Sequence, residues 1–188
     1  MSLPNRCLIT CVFRNILPPM HIRDATSPAD FSAVAALMRA FIGWHYERHA
    51  RDRALIDSYF DPIAFEAELV ALPGDFSPPS GALLVAEEEG RVAGCVALRR
   101  LDEDRCEMKR MFVSPDFHGK GAGDGLARAI IERAKDLGYA KMMLDTGPEQ
   151  REAQGLYRKL GFRDVDPYYD VSPELRSWLV FMERDLAE

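Results

Sequence analysis

Two hydrophobic periods alternate along the chain, and each change of period marks an element. Phe31, Val34, Ala35, Met38, Phe41 and Ile42 recur at the spacing of one helix face. Ser27 or Asp30 can cap that helix, with Pro28 in its first turn. Ahead of it, Met20 to Thr26 reads as a short strand. A second helical pattern starts at Asp61-Pro62, keeps Phe65, Leu69 and Leu72 on one side, and ends at Pro73-Gly74. Three strand-like runs follow, Ala82 to Glu87, Arg91 to Arg100 and Arg105 to Val113. Glu89-Gly90 and Asp102-Glu103-Asp104 are the turns between them, as in an antiparallel meander. The helical period returns with Leu126, Ile130, Ala134 and Leu137. Lys141 to Leu144 is a strand, reached by a right-handed crossover. A helix from about Glu149 to Leu160 keeps Ala153, Leu156, Tyr157 and Leu160 on one face, with Gly161 just past its end. Two last strands are expected, about Arg163–Val165 and Ser177–Met182, joined through Pro167-Tyr168-Tyr169. The fold class is α/β: one mixed, largely antiparallel central sheet with helices on both faces.

Composition narrows the picture without changing it. The 188 residues are 47% hydrophobic and 29% charged, with net charge −6. One domain is the default at this length, and an acidic balance gives nucleic-acid binding no electrostatic support. No apolar run reaches the length of a membrane span. Cys7 and Cys11, with His21 the nearest imidazole, fall short of a zinc ligand set, and Cys95 and Cys106 sit in strand-like runs as free buried thiols. Such cysteine usage fits a reducing cytoplasm. Residues 1–19 stand apart. The apolar run Cys7 to Phe13 is too short for a secretory signal, and Pro18-Pro19 interrupts the chain before Met20. The expectation is an extension over 1–19, outside the fold, and one domain over 20–188.

The candidate chemistry centres on Val113 to Leu126, where a strand runs into Gly119, Gly121, Gly123 and Gly125 and then into a helix. Glycines let several backbone N–H groups converge, and a helix N-terminus adds partial positive charge, so a phosphate or pyrophosphate is the expected guest. A P-loop is excluded because Lys120 is followed by Gly121, not Ser or Thr. A G-x-G-x-x-G fingerprint is excluded because its last position falls on Asp124 or Leu126. The spacing (Gln/Arg)-x-x-Gly-x-(Gly/Ala) does fit, with His118, Gly121 and Gly123 in the three places.

The run Glu107 to Pro115, followed by Phe117-His118-Gly119-Lys120-Gly121-Ala122-Gly123, resembles the acetyl-CoA pyrophosphate motif of the GCN5-related N-acetyltransferase (GNAT) superfamily. Ala153 to Phe162 resembles that superfamily's second CoA motif. The resemblance covers roughly Ile22 to Met182. It implies two parallel central strands, about 106–113 and 141–145, that splay apart to bind acetyl-CoA. Met111, Phe112 and Val113 would meet the pantetheine through main-chain atoms. His118, Gly119, Lys120, Gly121, Ala122, Gly123 and Asp124 would surround the diphosphate, with Lys120 and Arg128 adding charge. His118 stands where Arg or Gln is usual, and Asp124 places a negative charge beside the phosphates. No metal is implied.

Acetyl transfer to an amine needs a neutral nucleophile, a stabilised carbonyl oxygen, a departing thiolate and close positioning. The resemblance makes Tyr157 the residue that reaches the CoA sulfur. It makes Glu107 a candidate base, eleven residues before His118, with a buried ion-pair partner or a water relay as the alternatives. Strict alternation puts Glu107, Lys109 and Met111 on one strand face and Met108, Arg110 and Phe112 on the other. The cluster Trp44 to His49 suits either an acceptor pocket or a partly buried helix end. The function implied is N-acetyl transfer from acetyl-CoA to a small-molecule or peptide amine, with no nucleic-acid or membrane partner; a homodimer stays open. The alternative is a non-catalytic acyl-CoA sensor.

Overall fold

The structure, a computed structural model, describes residues 20–187. The expected extension over 1–19, with Cys7 and Cys11, lies outside the described residues. In chain order the elements are β1 (His21–Asp24), α1 (Pro28–Arg48), α2 (Arg53–Tyr59), α3 (Pro62–Val70), β2 (Ala82–Glu88), β3 (Arg91–Arg100) and β4 (Arg105–Val113). They continue with α4 (Ala122–Asp136), β5 (Lys141–Thr146), α5 (Arg151–Lys159), β6 (Arg163–Val165), α6 (Pro173–Trp178) and β7 (Val180–Asp185). The strands form one seven-stranded sheet in the order β1-β2-β3-β4-β5-β7-β6. Only the β4–β5 contact is parallel.

Both sheet faces are covered, as the alternation along β2 requires. Leu83 and Val85 point to the face of α1, where they pack with Val34, Met38 and Phe41. Ala82, Leu84 and Ala86 point to the other face, against Leu126, Ile130 and Ile131 of α4. Burying each such large aliphatic side chain contributes roughly 1.5–3 kcal/mol. Ser27 caps α1 in a reciprocal box: its hydroxyl accepts from the Asp30 N–H, and Asp30 accepts from the Ser27 N–H.

One irregularity shapes everything downstream. The β3–β4 register runs Ala97↔Lys109 and then Cys95↔Phe112, so β4 carries one extra residue. Arg110 absorbs it at φ 55°, a left-handed backbone conformation uncommon for a side chain of this size. The expected alternation therefore breaks. Met111 joins Met108 on the α4 face, and Phe112 packs on the α1 face with Cys95 and Ala97. Beside this bulge the two parallel strands part. They pair only from Arg105↔Lys141 to Glu107↔Met143. Beyond that point β4 holds on to β3 alone and β5 to β7 alone.

The expected meander, crossover and order of elements are present. Two short helices were not legible. α2 buries only Ile56, and α6 only Leu175, so neither spans enough turns to show a period. α6 takes the start of the segment expected as the last strand, and β7 begins at Val180. The sign for α6 is Ser172-Pro173: the Ser172 hydroxyl caps Leu175 N–H, and proline fills the first helical position.

Candidate active site

The glycine turn becomes the N-terminus of α4. Gly121 is the N-cap, at φ 84°, a conformation in which only glycine is unstrained. No side chain caps this end. The first-turn N–H groups of Ala122, Gly123 and Asp124 are thus left for an outside acceptor, at the positive end of a fifteen-residue helix. Ala122 and Gly123 open into a groove of about 530 Å³ that also meets Val113, Phe117 and Leu156. A Cβ on Gly123 would lie 3.7 Å from the Met111 methyl carbon, so the bare glycine leaves the floor of the groove open. These residues fit a diphosphate through main-chain donors.

The charged side chains around this turn are already paired. His118 Nε2 lies 3.0 Å from the Val113 carbonyl, to which it can donate, which folds the ring back onto β4. Lys120 Nζ donates to Glu88 at 2.6 Å. Asp124 accepts from Arg128 Nε at 2.7 Å, so its charge is partly neutralised and the carboxylate does not cap the helix. The donors left without a partner among the described residues at this end are main-chain N–H groups.

A second, narrower cavity of about 50 Å³ lies across the gap between β4 and β5. Phe41, Met111, Gln150 and Tyr157 line both spaces, so groove and cavity meet at Tyr157. Burial pushes the Tyr157 phenol above its usual range, which keeps it a hydrogen-bond donor. Its hydroxyl faces Met111 Sδ at 3.6 Å. A thioether is a weak acceptor, so the phenol is free to exchange it for a better one.

Around the cavity lies a buried charged network. Lys109 Nζ reaches Asp145 at 3.1 Å, the Tyr59 hydroxyl at 2.8 Å and Glu107 at 3.5 Å. Asp145 also accepts from Tyr59 and from Tyr169. Burial alone would raise the Asp145 carboxyl; the Lys109 ammonium and these donors outweigh it and hold the group below the usual carboxylate range. Glu107 is fully buried, with Arg99 Nε at 2.6 Å on one oxygen and the Tyr168 hydroxyl at 2.6 Å on the other. It lines neither space. Arg110 pairs with Glu68 at 2.7 Å and lies over Phe60 and Phe65.

His45 contrasts with these saturated groups. His45 of α1 and His49 just past its end are both buried, and none of their four ring nitrogens has a hydrogen-bond partner among the described residues. Their rings stack 5.2 Å apart, a face-to-face arrangement that precludes an in-plane N–H···N bond between them. Leaving a buried polar group unsatisfied costs about 1–3 kcal/mol. Burial, helped by His49, pushes His45 down to about 4. Burial also lowers His49.

A family model for the acetyltransferase (GNAT) family matches residues 44–162. The chain belongs to the GNAT family. Among curated relatives, an uncharacterised N-acetyltransferase of Schizosaccharomyces pombe is 41% identical over 96 residues, 50% of this chain and 59% of that protein. The N-acetylaspartate synthetase of Danio rerio is 35% identical over 127 residues, 66% of this chain and 45% of that protein. This GNAT chain therefore spans about half the length of the first relatives it matches. The PaiA N-acetyltransferase of Thermoplasma acidophilum, solved with coenzyme A, superposes with TM-score 0.66 at 19% identity over 89% of this chain and 99% of that one. An acetyltransferase from Streptococcus agalactiae gives TM-score 0.66 at 18% identity, over 88% and 98%. At such identities the structural matches speak for the GNAT fold alone.

Of the residues singled out in sequence, Tyr157, Met111, Phe112, Val113, His118, Gly119, Gly121, Ala122 and Gly123 come together at the groove, with Tyr157 and Met111 shared with the cavity. Lys120, Asp124 and Glu107 are engaged in the contacts above. Sequence reasoning missed Tyr59, Asp145 and Trp178, which line or border the cavity. Asp145 could have been found: a carboxylate in the otherwise apolar run Met142-Met143-Leu144 needs a partner. Among the described residues no helix is long and apolar enough to cross a membrane.

Proposed function

We propose that the protein is an acetyl-CoA-dependent N-acetyltransferase that moves the acetyl group directly to a primary amine. The observation that carries this reading is the junction at Tyr157, where a groove ending on free helix N–H groups meets an aromatic and polar cavity through the gap between β4 and β5. In this scheme α4 holds the diphosphate by the Ala122, Gly123 and Asp124 N–H groups, and Met111, Phe112 and Val113 offer backbone to the pantetheine. Gly119 and Gly121 shape the turn. His118 and Lys120 border it while bonded elsewhere. Tyr157 exchanges Met111 Sδ for the thioester sulfur and donates to it as the thiolate departs; its raised pKa makes a hydrogen bond, rather than full proton transfer, its contribution.

The amine enters from the narrow cavity. A volume a tenth of the groove's favours a slender primary amine, whether a small molecule or a peptide side chain, whose remaining body stays outside. Two roles compete for Glu107. As base it would act through a water or through Lys109, which lines the cavity. Its saturated oxygens favour instead an ion-pair role that fixes Lys109 and Tyr168. The test is thiol release from acetyl-CoA across a panel of primary amines and peptides, alongside a thermal shift with acetyl-CoA. A shift with amine-dependent thiol release supports the transferase. A shift with no release from any amine supports the acyl-CoA sensor instead, and no shift removes both.

A further inference from the structure

Every carboxylate at or beside the cavity is occupied. Asp145 has three donors, and Glu107 has a donor on each oxygen. His45 lines the same cavity, is 2% exposed, and has both ring nitrogens without a hydrogen-bond partner among the described residues. It is enclosed by rings: Phe41 edge-on at 4.4 Å, Phe60 at 5.6 Å and the His49 stack. A phenylalanine would fill that niche without stranding polar atoms, and buried polar atoms are almost always paired in the working state. Among the described residues no group fixes the tautomer of His45, so the ring can present an unprotonated nitrogen to whatever enters the cavity.

We propose that His45 is a catalytic residue that accepts a hydrogen bond from the acceptor amine and takes its proton during attack. The proposal rests on the acetyl-transfer reading above. The amine lone pair forms the C–N bond as the carbonyl π pair moves to oxygen, and the nitrogen of this tetrahedral species becomes far more acidic than the free ammonium. His45 takes that proton. The C–S bond then breaks, the thiolate leaves hydrogen-bonded to Tyr157 and is protonated by solvent, and the imidazolium returns its proton to solvent. Burial keeps this imidazole neutral at pH 7 and so an acceptor but lowers its basicity, which confines it to taking the proton once the C–N bond has made the nitrogen acidic. The charged groups facing it across the cavity are Lys109 and Arg110 on β4 and Asp145 on β5. Just past the end of its own helix lies His49, flanked by Arg48, Asp52 and Glu149, while Phe60 and Trp178 bring no charge.

The experiment compares the parent with His45→Phe and His45→Gln, using acetyl-CoA with methylamine, glycine, benzylamine and Nα-acetyl-lysine as probes. Acetyl-CoA affinity should stay within about twofold in both variants, because His45 does not line the groove. With any amine the parent uses, kcat should fall about a hundredfold in both variants, and the acid limb of the pH profile should move. His49→Phe, outside the cavity lining, serves as a control that should keep kcat within about twofold. A kcat near the parent's in His45→Phe overturns the proposal. A second arm needs no turnover: protein labelled with 15N-histidine and saturated with CoA is titrated with the same amines at high millimolar concentration. The His45 ring signals, assigned by their loss in His45→Phe, should move with at least one amine; immobility with all four overturns the proposal. Failure of the parent to bind acetyl-CoA would be a separate result, removing the acetyl-transfer reading itself.

Discussion

The groove at the start of α4 and the cavity behind Tyr157 share a border but are built on opposite principles. The groove's glycine end, from Val113 to Gly123, is contiguous in sequence and offers backbone, with His118, Lys120 and Asp124 turned to other partners, while α1 and α5 supply its other walls through Phe41, Trp44, Arg48, Leu156 and Tyr157. The cavity draws on α1, α2, β4, β5, α5 and α6, and side chains dominate it: the carboxylate Asp145, Lys109 and Arg110, two tyrosines and an imidazole without a hydrogen-bond partner among the described residues, with buried Glu107 behind Lys109. A surface that recognises its ligand through main-chain donors can keep that ligand while its side chains drift. A surface of interlocked side chains changes its ligand whenever one link changes. On the proposed reading, the cofactor end would be generic, and the acceptor end would carry this chain's own specificity.

The sharpest way to break this contrast is to fill the groove without touching the cavity. Gly123→Glu has room for its Cβ, whereas a side chain at Gly121 would be strained by φ 84°. The parent at acetyl-CoA about 100 times its Kd should gain roughly 2.7 kcal/mol. The variant should gain none while its unliganded Tm stays put; an undiminished shift would place the cofactor elsewhere. Next in size is the residue on the border. Tyr157→Phe should retain acetyl-CoA affinity and lower kcat by about ten- to a thousandfold. An unchanged kcat, measured where chemistry is rate-limiting, would remove Tyr157 from the transfer.

The same contrast explains what could be read beforehand. The glycine end of the groove was legible because its physics is local: strand, glycines, helix, all between Val113 and Leu126, whereas the α1 wall at Phe41, Trp44 and Arg48 is brought there by tertiary structure. The meander and crossover were legible for the same reason, in that each period sustained itself over enough residues to show. The cavity was not. Arg110 at positive φ has no sign in the sequence, yet the bulge it forms moves Met111 to the face of Met108 and sits where β4 leaves β5. α2 and α6 were too short to reveal a period, and they bring Tyr59 and Trp178 to the site. Glu107 was singled out by the family resemblance, but Arg99 and Tyr168, which occupy its oxygens, are brought there only by tertiary structure.

Behind the cavity, Glu107→Gln separates its two roles. As an ion-pair partner its loss should destabilise the fold by roughly 2 kcal/mol, below the usual range for a fully buried pair because Arg99 keeps solvent access. Activity per folded molecule should then hold. A hundredfold fall in kcat at unchanged Tm would instead make Glu107 the base. The histidines predict a smaller, pH-dependent effect. A depressed imidazole pKa means that the unfolded chain binds protons first as pH falls, so stability is lost below about 6.5 and the loss continues towards 4. His45 alone should account for about 1 kcal/mol between pH 6.5 and 5.5. Urea unfolding at the two pH values should show that loss in the parent and a smaller one in His45→Phe. Equal losses would mean that His45 is not held neutral by burial.

The smallest effect tests whether groove side chains are as incidental as the contrast requires. Asp124 sits in the first turn of α4, beside the N–H groups assigned to the diphosphate, and Arg128 one turn later holds it at 2.7 Å. Both side chains are substantially exposed, so solvent screens the pair. Arg128→Ala leaves the Asp124 charge uncompensated next to the phosphates. Acetyl-CoA affinity should weaken by about two- to threefold at low ionic strength, and the difference should fade as salt is raised. Asp124→Asn should restore the affinity in the Arg128→Ala background, because the repulsion then has no source. A tenfold or larger loss that persists in high salt and survives Asp124→Asn would mean that Arg128 itself holds a phosphate. Recognition in the groove would then depend on side chains as it does in the cavity, and the division between a backbone-built cofactor end and a side-chain-built acceptor end would fail.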